Sequence, residues 1–284
     1  MEICIEPTNI CSAKCTFCWY GKDGGDLRPK GFISKPTFGQ IRRVLKNSNL
    51  RQRVISLSTP SGDVTCYPHL LDLIAMINDV GYRVRFYSNG ILLDRFMPEL
   101  FKLKIASINI STMIGSTPKE YSSTFGVDSY DRVMQNIETL KASKIPISIK
   151  DVQKRTRWDD FNGLITEADL PPGHTMPSLN EHRRIPCYGL YGKALIEYTG
   201  DISVCNCRQS SDLVISNIMD KRTVQAAIRS SESLKAIRNS WWLWGEMLDI
   251  CKTCSHYHPM TRQIPRILRR TIEGLVVSVR RQER

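Results

Sequence analysis

The sequence lacks any hydrophobic run long enough to cross a membrane, since no stretch approaches the roughly 18 uncharged residues that a transmembrane helix needs. It also has no basic N-terminal region followed by a small-residue cleavage site, so we expect no secretory signal peptide. Internal repeats and low-complexity tracts are missing as well. With 41% hydrophobic and 24% charged residues, the composition excludes a wholly disordered or collagen-like chain. We therefore expect a folded cytoplasmic protein with no membrane partner.

Acidic residues are scarce relative to basic ones, with 28 against 40, and the formal net charge is +12. Part of this excess is local, because the segment from Pro259 to Arg284 contains seven arginines. A basic chain is compatible with nucleic acid, an anionic membrane surface or an anionic substrate. It is equally compatible with buried iron–sulfur clusters, whose negative charge nearby cations stabilise. Charge alone leaves these alternatives open.

Short β-rich runs alternate with helical patterns over the first 150 residues. Strands are predicted at Glu2–Glu6, Val54–Ser58, Arg83–Tyr87, Ala106–Ser111 and Ile145–Asp151, and helices at Thr37–Lys46, Pro68–Val80, Leu92–Leu103 and Ser129–Lys141. Such alternation is typical of βαβ units in a parallel sheet, and a sixth unit is expected before Pro171. The predicted fold class is α/β, a partial (β/α)6 TIM-like barrel whose active site gathers at the carboxyl ends of the strands.

A proline-rich break at 169–181 separates this pattern from the rest of the chain. Beyond it, Ala194–Tyr198 and Ile202–Cys205 flank Thr199-Gly200-Asp201, which indicates a hairpin, and helical stretches are predicted within Thr223–Arg238. We expect the barrel at residues 1–180, a small α+β domain at 181–258 and a basic helix or tail at 259–284.

The sequence has ten cysteines, a density too low for a disulfide-stabilised scaffold. Their spacing along the chain is uneven. Only Cys4 and Cys66 stand apart from two groups; Cys4 alternates with isoleucines on the first predicted strand, which indicates a core position. The early group is Cys11, Cys15 and Cys18, and the late group is Cys187, Cys205, Cys207, Cys251 and Cys254. Two such groups, far apart in the sequence, indicate two metal sites.

The early group directly follows the first predicted strand and so lies on a βα loop at the catalytic face. Three thiolates on one loop can hold three irons of a cubane and leave the fourth iron open to an external ligand. A structural zinc site or unrelated buried cysteines are the alternatives. Zinc requires a fourth ligand nearby, and none is obvious before Asp23.

The pattern Cys11-x3-Cys15-x2-Cys18, with Phe17 before the third cysteine, closely resembles the radical S-adenosylmethionine (SAM) enzymes. Later segments resemble other motifs of that family, including an acidic glycine-containing stretch in which Asp63 replaces the usual glutamate. The helix that begins at Ser129 resembles the one that follows the family's fourth strand. The resemblance implies that the three cysteines bind a [4Fe–4S] cluster whose open iron chelates SAM, and that Phe17 lies against the adenine. The SAM contacts that it implies are Ser61, Gly62, Asp63, Ser88, Asn89 and Ser111.

The late group places Cys205 at the end of the hairpin and ends in the CxxC pair Cys251 and Cys254, with Cys187 upstream. Four such thiolates could bind either a tetrahedral zinc ion or a [4Fe–4S] cluster, and their spacing alone does not distinguish these two sites. The pattern resembles the SPASM and Twitch cluster domains of radical SAM enzymes, which implies a second, auxiliary [4Fe–4S] cluster. Because no cysteine follows Cys254, one auxiliary cluster is expected, as in Twitch enzymes and the 2-deoxy-scyllo-inosamine dehydrogenase subgroup.

Two cysteines have no assigned ligand role. Cys207 can replace Cys205 as a ligand, remain an inert thiol or donate a hydrogen atom, and the inert thiol is favoured. Cys66 is expected to be a small buried hydrophobe near the catalytic rim. Either would act as a hydrogen-atom donor only in an epimerase. Lys150 and Asp151 stand at the barrel mouth as candidate bases, with Arg155 and Arg157 following, and we assign none of them a catalytic role.

The resemblance implies reductive cleavage of SAM to a 5′-deoxyadenosyl radical that abstracts a hydrogen atom from the substrate. We expect a radical SAM oxidoreductase, dehydrogenase-like, that oxidises a small hydroxylated or anionic metabolite with the auxiliary cluster as electron acceptor. The alternative substrate is a ribosomally made peptide that is oxidised, cross-linked or epimerised. An electron donor such as flavodoxin or ferredoxin is implied. A nucleic-acid-binding zinc protein is disfavoured by the open three-cysteine loop.

Overall fold

A single eight-stranded sheet organises the chain in this computed structural model, which describes residues 1–18, 28–48, 50, 53–152, 186–205, 211–220, 223–244, 246, 248 and 251. The strands are β1 Glu2–Ile5, β2 Val54–Leu57, β3 Arg83–Ser88, β4 Ile105–Thr112, β5 Ile147–Asp151, β6 Lys193–Ile196, β7 Asp201–Ser203 and β8 Val214–Asn217. Their order in the sheet is β5-β4-β3-β2-β1-β6-β7-β8. Strands β1 to β5 pair in sequence order, and every one of these pairs is parallel.

The helices that accompany the sheet are α1 Lys35–Lys46, α2 Leu70–Asp79, α3 Pro118–Phe125, α4 Tyr130–Lys141, α5 Gly189–Gly192, α6 Val224–Ser230 and α7 Glu232–Trp244. Several begin at residues whose hydroxyl caps the first turn. The side chain of Ser34 accepts a hydrogen bond from Thr37 N in α1, and that of Thr223 accepts one from Ala226 N in α6. Such caps satisfy amide groups that have no partner within the helix.

The helices between β1 and β5 lie on one face of the sheet, because right-handed crossovers that advance in one direction all pass on the same side. The contacts of α4 identify that face: Ile110 of β4 and Val133 of α4 both lie within 3.3 Å of the position that a Cβ at Gly90 would take. Side chains alternate along a strand, so Tyr87 and Asn109 project from the opposite face. The result is the predicted α/β fold, a partial TIM-like barrel.

The predicted helix at Leu92–Leu103 is wrong. The structure has two short 3₁₀ turns there, Leu93–Arg95 and Glu99–Lys102. Pro98 stands between them, and a proline has no amide hydrogen to continue a helical hydrogen-bond ladder. The apolar spacing that suggested one helix instead serves to bury Leu93 and Leu100 in separate turns.

The C-terminal hairpin, which the sequence assigns to a separate α+β domain, continues the sheet of the barrel. Strand β6 pairs with β1 in parallel along its whole length, from Glu2 with Lys193 to Ile5 with Ile196. Strand β7 then pairs with β6 and with β8 in antiparallel fashion. The boundary at 180, the sixth unit before Pro171 and the basic tail at 259–284 lie outside the described residues.

None of the helices in the described part of the chain is long and apolar enough to span a membrane.

Candidate active site

The loop with the first three cysteines begins directly after β1, at the edge where the parallel strands end. Cys11 is accessible to solvent, while Cys15 and Cys18 are partly buried. Burial by neighbouring protein atoms, followed by the nearby Asp63 carboxylate, raises the pKa of Cys11 to about 12. Burial and then the charges of Cys11 and Cys18 likewise raise the pKa of Cys15. The three thiols therefore act on one another electrostatically.

Helix α3 supports this loop from one side. The amides of Lys14 and Thr16, which flank Cys15, donate hydrogen bonds of 2.9 Å each to the carbonyls of Phe125 and Thr124 at the end of α3. Gly126 ends the helix with φ +66°, and a Cβ there would lie 2.6 Å from the carbonyl oxygen of Lys14. Only glycine combines this left-handed conformation with so close an approach of two backbones.

The loop after β2 supports the cysteine loop from the other side. The amide of Asp63 donates a 2.8 Å hydrogen bond to the carbonyl of Ile10, the residue before Cys11. A Cβ on Gly62 would stand 2.7 Å from that same carbonyl oxygen. The glycine of the predicted acidic motif is thus required by backbone packing, whatever it contacts in a loaded enzyme.

Asp63 joins this loop to the end of β3. Its carboxylate is buried and accepts hydrogen bonds from the Thr65 amide at 2.9 Å, the Thr65 hydroxyl, the Ser88 hydroxyl at 3.1 Å and the Asn89 amide at 2.6 Å. Burial raises the pKa of Asp63, although these donors favour the charged form. The side-chain amide of Asn89 donates to Ser12 Oγ at 3.2 Å and lies 3.7 Å from Cys11 Sγ. We call these five residues with Cys11 the Asp63 network.

Three of the predicted SAM contacts, Asp63, Ser88 and Asn89, thus come together and bond to one another. Sequence reasoning assigned them to a bound molecule and missed this mutual arrangement. The other predicted contacts lie around the same edge. Phe17 packs edge-on against Phe125, with ring centroids 5.7 Å apart. Ser111 lies near the end of β4, paired with Lys150 of β5.

Cys66 lies beside the cysteine loop and is partly buried. Burial, followed by the Asp63 carboxylate, raises the pKa of its thiol to about 11, while hydrogen bonds with Ser12 oppose this shift. The structure therefore brings Cys66 next to the early group, whereas Cys207 lies outside the described residues.

Arg28 connects the cysteine-loop side of the sheet with the C-terminal hairpin. Its guanidinium contacts both carboxylate oxygens of Glu6, at 2.8 and 2.9 Å, and one oxygen of Glu197 at 2.8 Å. It also donates to Ser61 Oγ at 3.3 Å and lies 5.1 Å from the ring centroid of Tyr198. Glu6 and Glu197 directly follow β1 and β6, so one cation ties the ends of two adjacent parallel strands. No motif in the sequence indicated this cluster.

The donor set of the early group fits a cubane. Among the described residues, no three His, Cys, Asp or Glu side chains converge on a position that one metal ion could share. A [4Fe–4S] cluster does not need such convergence, because each thiolate binds a different iron. Metal binding requires thiolates, and a positively charged iron core between the three sulfurs would offset the mutual repulsion that raises the pKa of Cys15.

In the late group, Cys187 and Cys205 converge above Gly189. Their Sγ atoms lie 3.6 and 3.7 Å from the position that a Cβ on Gly189 would occupy. Cys205 has φ +95°, a backbone conformation that non-glycine residues rarely adopt. Cys251 is also described and partly buried, whereas Cys254 lies outside the described residues. Cys187 and Cys205 therefore lie near each other, and the backbone of Cys205 is held in an unfavourable conformation.

Replacing Gly62 with alanine should destabilise the protein by about 2 kcal/mol, because the new methyl group must displace the backbone at Ile10. Gly39 is the matched control: it lies in α1 with no atom within 4 Å of its Cβ position. Gly39→Ala should stabilise by about 0.5–1 kcal/mol through helix propensity. Denaturant unfolding gives the change in the free energy of unfolding for each variant. Equal changes for Gly62→Ala and Gly39→Ala would contradict a close backbone contact at Gly62.

Cys205→Ala and Cys205→Gly should differ in the stability of the protein. Glycine removes the cost of a positive φ, which is of order 1 kcal/mol, and alanine retains it. We expect Cys205→Gly to unfold at the higher denaturant concentration in the cluster-free chain. Equal stability of the two variants would contradict a strained backbone at Cys205.

Comparison with known proteins gives one family and several similar folds. Residues 5–152, more than half of the chain, match the Radical SAM superfamily. No curated protein sequence matches the chain.

Three solved structures illustrate the similarity of fold. BtrN in complex with AdoMet and 2-DOIA has a TM-score of 0.60 at 15% identity, over 89% of this chain and 91% of BtrN. The anSMEcpe protein with bound AdoMet has a TM-score of 0.62 at 12% identity, over 99% of both chains. SuiB of Streptococcus suis bound to S-adenosylmethionine has a TM-score of 0.55 at 17% identity, over 93% of this chain and 74% of SuiB. The match to the family begins at Ile5, the last residue of β1, and spans the cysteine loop and strands β2 to β5, and the chain therefore belongs to the Radical SAM superfamily.

Proposed function

We propose that this protein cleaves SAM reductively and uses the resulting radical to oxidise a small hydroxylated or anionic metabolite, with an auxiliary [4Fe–4S] cluster as electron acceptor. Membership in the superfamily implies an enzyme with a [4Fe–4S] cluster and SAM. The observation that carries the proposal is the loop of Cys11, Cys15 and Cys18, which backbone contacts on two sides hold at the carboxyl edge of the sheet.

The proposed roles of the residues follow from their positions. Cys11, Cys15 and Cys18 would hold the SAM-binding cluster. When bound, that cluster supplies the electron that splits SAM into methionine and a 5′-deoxyadenosyl radical, which takes a hydrogen atom from the substrate. Phe17 would contact the adenine, and its edge contact with Phe125 fixes its ring.

The remaining SAM contacts proposed are Ser61, Gly62, Asp63, Ser88, Asn89 and Ser111. Asp63, Ser88 and Asn89 would act as a unit, since the hydrogen bonds of the Asp63 network hold each of them in place. A preorganised polar edge needs little rearrangement when SAM binds. Asn89 would also orient the loop through Ser12.

The second cluster would bind to Cys187, Cys205, Cys251 and Cys254, in a Twitch-like or SPASM-like arrangement. The convergence of Cys187 and Cys205 over Gly189 supports this set. A cluster with four protein ligands has no open iron for substrate, so its use would be electron transfer. Accepting an electron from the substrate radical makes the overall reaction a two-electron oxidation, with the proton passing to solvent or a nearby base. A flavodoxin or ferredoxin would reduce the SAM cluster.

The face of the sheet opposite the helices supports a small polar substrate. Near the ends of β3, β4 and β5 this face presents Tyr87, Asn109, Ser111 and Lys150, all partly exposed. The register pairs Tyr87 with Asn109 and Ser111 with Lys150, so the four side chains form two adjacent rows. A phenol, an amide, a hydroxyl and an ammonium group together suit hydroxyl or anionic groups of a metabolite. The similar fold of BtrN holds 2-DOIA together with AdoMet.

A ribosomally made peptide is the second candidate substrate, to be oxidised, cross-linked or epimerised. Its support is the similar fold of anSMEcpe, of which one solved structure has AdoMet and the Cp18Cys peptide bound. Cys66 would supply a hydrogen atom in an epimerase, and its place beside the cysteine loop is compatible with that role. Cys207, the other candidate donor, stays a prediction.

Anaerobic reconstitution tests the proposed function. The wild-type protein should bind about eight irons, and a Cys11/Cys15/Cys18 triple alanine variant about four, because one cubane is lost. Dithionite and SAM should yield 5′-deoxyadenosine with the wild type and none with the triple variant. Cys4→Ala, at a buried thiol on β1, is the control and should retain about eight irons. Absence of 5′-deoxyadenosine from fully reconstituted wild type, with candidate substrates supplied, would contradict the proposal.

The substrate class is tested with two panels, one of cyclitols, aminocyclitols and sugar phosphates, the other of cysteine- and serine-containing peptides. A member of the metabolite panel should increase 5′-deoxyadenosine formation and transfer deuterium to it when labelled. Lys150→Met should reduce this stimulation about tenfold, the loss of one charged hydrogen bond, while substrate-free SAM cleavage is unchanged. Deuterium transfer from peptides alone would favour the second candidate.

A further inference from the structure

The side chain of Asn89 lies between the end of β3 and the cysteine loop. Its amide nitrogen Nδ2 is 3.7 Å from Cys11 Sγ and 3.2 Å from Ser12 Oγ. Sulfur is a larger atom than oxygen, so hydrogen bonds to sulfur are longer, and the distance to Cys11 Sγ is within their range. Cys11 is exposed to solvent. The contact with Asn89 therefore leaves Cys11 open to a bound cluster.

The orientation of this amide follows from the partner of its oxygen. Asn89 Oδ1 accepts a 3.0 Å hydrogen bond from the Ile91 amide, two residues later in the chain. Because a backbone N–H group only donates, the side-chain atom that faces it must be the oxygen. The nitrogen is then the atom that faces the cysteine loop, and its two hydrogens serve the two acceptors there, Ser12 Oγ and Cys11 Sγ.

The turn that carries Asn89 is held on both sides. The Asn89 amide donates a 2.6 Å hydrogen bond to Asp63 Oδ2, and the Gly90 amide donates one of 3.0 Å to Ser88 Oγ. From helix α4, Asn136 Nδ2 donates to the Gly90 carbonyl at 2.8 Å. Both asparagines are buried. A side chain fixed in this way needs no rearrangement to act on the cysteine loop.

Asn89 also separates two groups that carry negative charge when a cluster is bound. Its backbone N–H points at the Asp63 carboxylate and its side-chain N–H at Cys11 Sγ. The amide of Ala13, within the cysteine loop, donates to the same sulfur at 3.5 Å. Metal binding requires Cys11 as a thiolate. Hydrogen bonds to ionised acceptors are stronger than those to neutral ones, so these N–H groups would favour the thiolate form.

We propose that the side-chain amide of Asn89 donates a hydrogen bond to the Cys11 thiolate of the SAM-binding cluster and so raises the reduction potential of that cluster. This inference deepens the proposed function and rests on it, since it requires a cluster at the early cysteines. Reduction adds negative charge to the cluster and its sulfurs, and a donor that faces one of them stabilises the reduced form. Hydrogen bonds to sulfur are among the factors that set the potentials of iron–sulfur proteins.

Asn89→Ala and Asn136→Ala form a matched pair for testing this role. Each removes a buried side-chain amide that supports the same turn, but Asn89 faces Cys11 whereas Asn136 contacts the Gly90 carbonyl. Asn89→Ser is a second variant. Its hydroxyl can still accept a hydrogen bond from the Ile91 amide within the turn, but it is too short to reach Cys11.

Redox titration of the reconstituted full-length protein measures the effect. It follows the electron paramagnetic resonance signal that is lost when the three early cysteines are replaced together by alanine. SAM is left out, so that the proposed contact of Asn89 with SAM has no influence. The equilibrium constant for reduction should fall about threefold to tenfold in both Asn89 variants, as expected for losing part of a hydrogen bond to a charged group. It should be unchanged in Asn136→Ala.

Asparagine labelled with ¹⁵N at its side-chain amide gives a direct measurement in the wild type. A nitrogen whose N–H group bonds to a cluster sulfur should produce a ¹⁵N hyperfine coupling in pulsed electron paramagnetic resonance of the reduced cluster without SAM. The coupling should persist in Asn136→Ala and vanish in Asn89→Ala and Asn89→Ser. If neither Asn89 variant folds, the presence or absence of this coupling in the wild type decides the question.

The outcomes separate this inference from the proposed function. No side-chain ¹⁵N coupling in the wild type, an unchanged reduction equilibrium in the Asn89 variants, or an equal shift in Asn136→Ala would overturn the role of Asn89 and leave the function standing. If the wild type forms no cluster that depends on Cys11, Cys15 and Cys18, the proposed function fails and this inference fails with it.

Discussion

The loop of Cys11, Cys15 and Cys18 lies between two other pieces of backbone that approach it too closely to admit a side chain. Gly62 faces it at one end and Gly126 faces it at the other, each at a position where a Cβ would meet a carbonyl oxygen below 3 Å. Backbone contacts of this kind leave little freedom to the thiols between them. The rest of the site is arranged around that constraint: the Asp63 network fills one side and the aromatic rings of α3 fill the other.

Local signals in the sequence predict the five parallel strands β1 to β5, but not β8 or the pairing of β6 with β1. The runs of β-branched and apolar residues located β1 to β5 to within about two residues at each end, because buried parallel strands require such runs. The apolar spacing at Leu92–Leu103 predicts one helix, but Pro98 divides the segment into two short turns. Helix α3 was overlooked, although Thr117 and Glu120 form a capping box that marks its start.

The site was less accessible to sequence reasoning, for a physical reason. Motif resemblance located the cysteines and Asp63, but a residue's hydrogen-bond partners come from distant segments. Asp63 bonds to Asn89 across 26 positions, and Arg28 bonds to Glu197 across 169. The contact of Asn89 with Cys11 depends on how two distant loops pack, which no pattern around either residue reveals. Chemistry that depends on long-range packing therefore emerged only from the structure.

The parallel pairing of β1 with β6 has a mechanical consequence. The early thiols follow β1, whereas Cys187 precedes β6 and Cys205 follows β7. These cysteines are therefore attached to neighbouring strands of one sheet. The guanidinium of Arg28 adds a further link between the ends of β1 and β6. The strands that carry these two groups therefore share main-chain hydrogen bonds. Separating the two by proteolysis would also open an apolar edge on β1, whose Ile3 and Ile5 are fully buried. The sheet thus connects Cys187 and Cys205 to the strand that leads into the early cysteine loop.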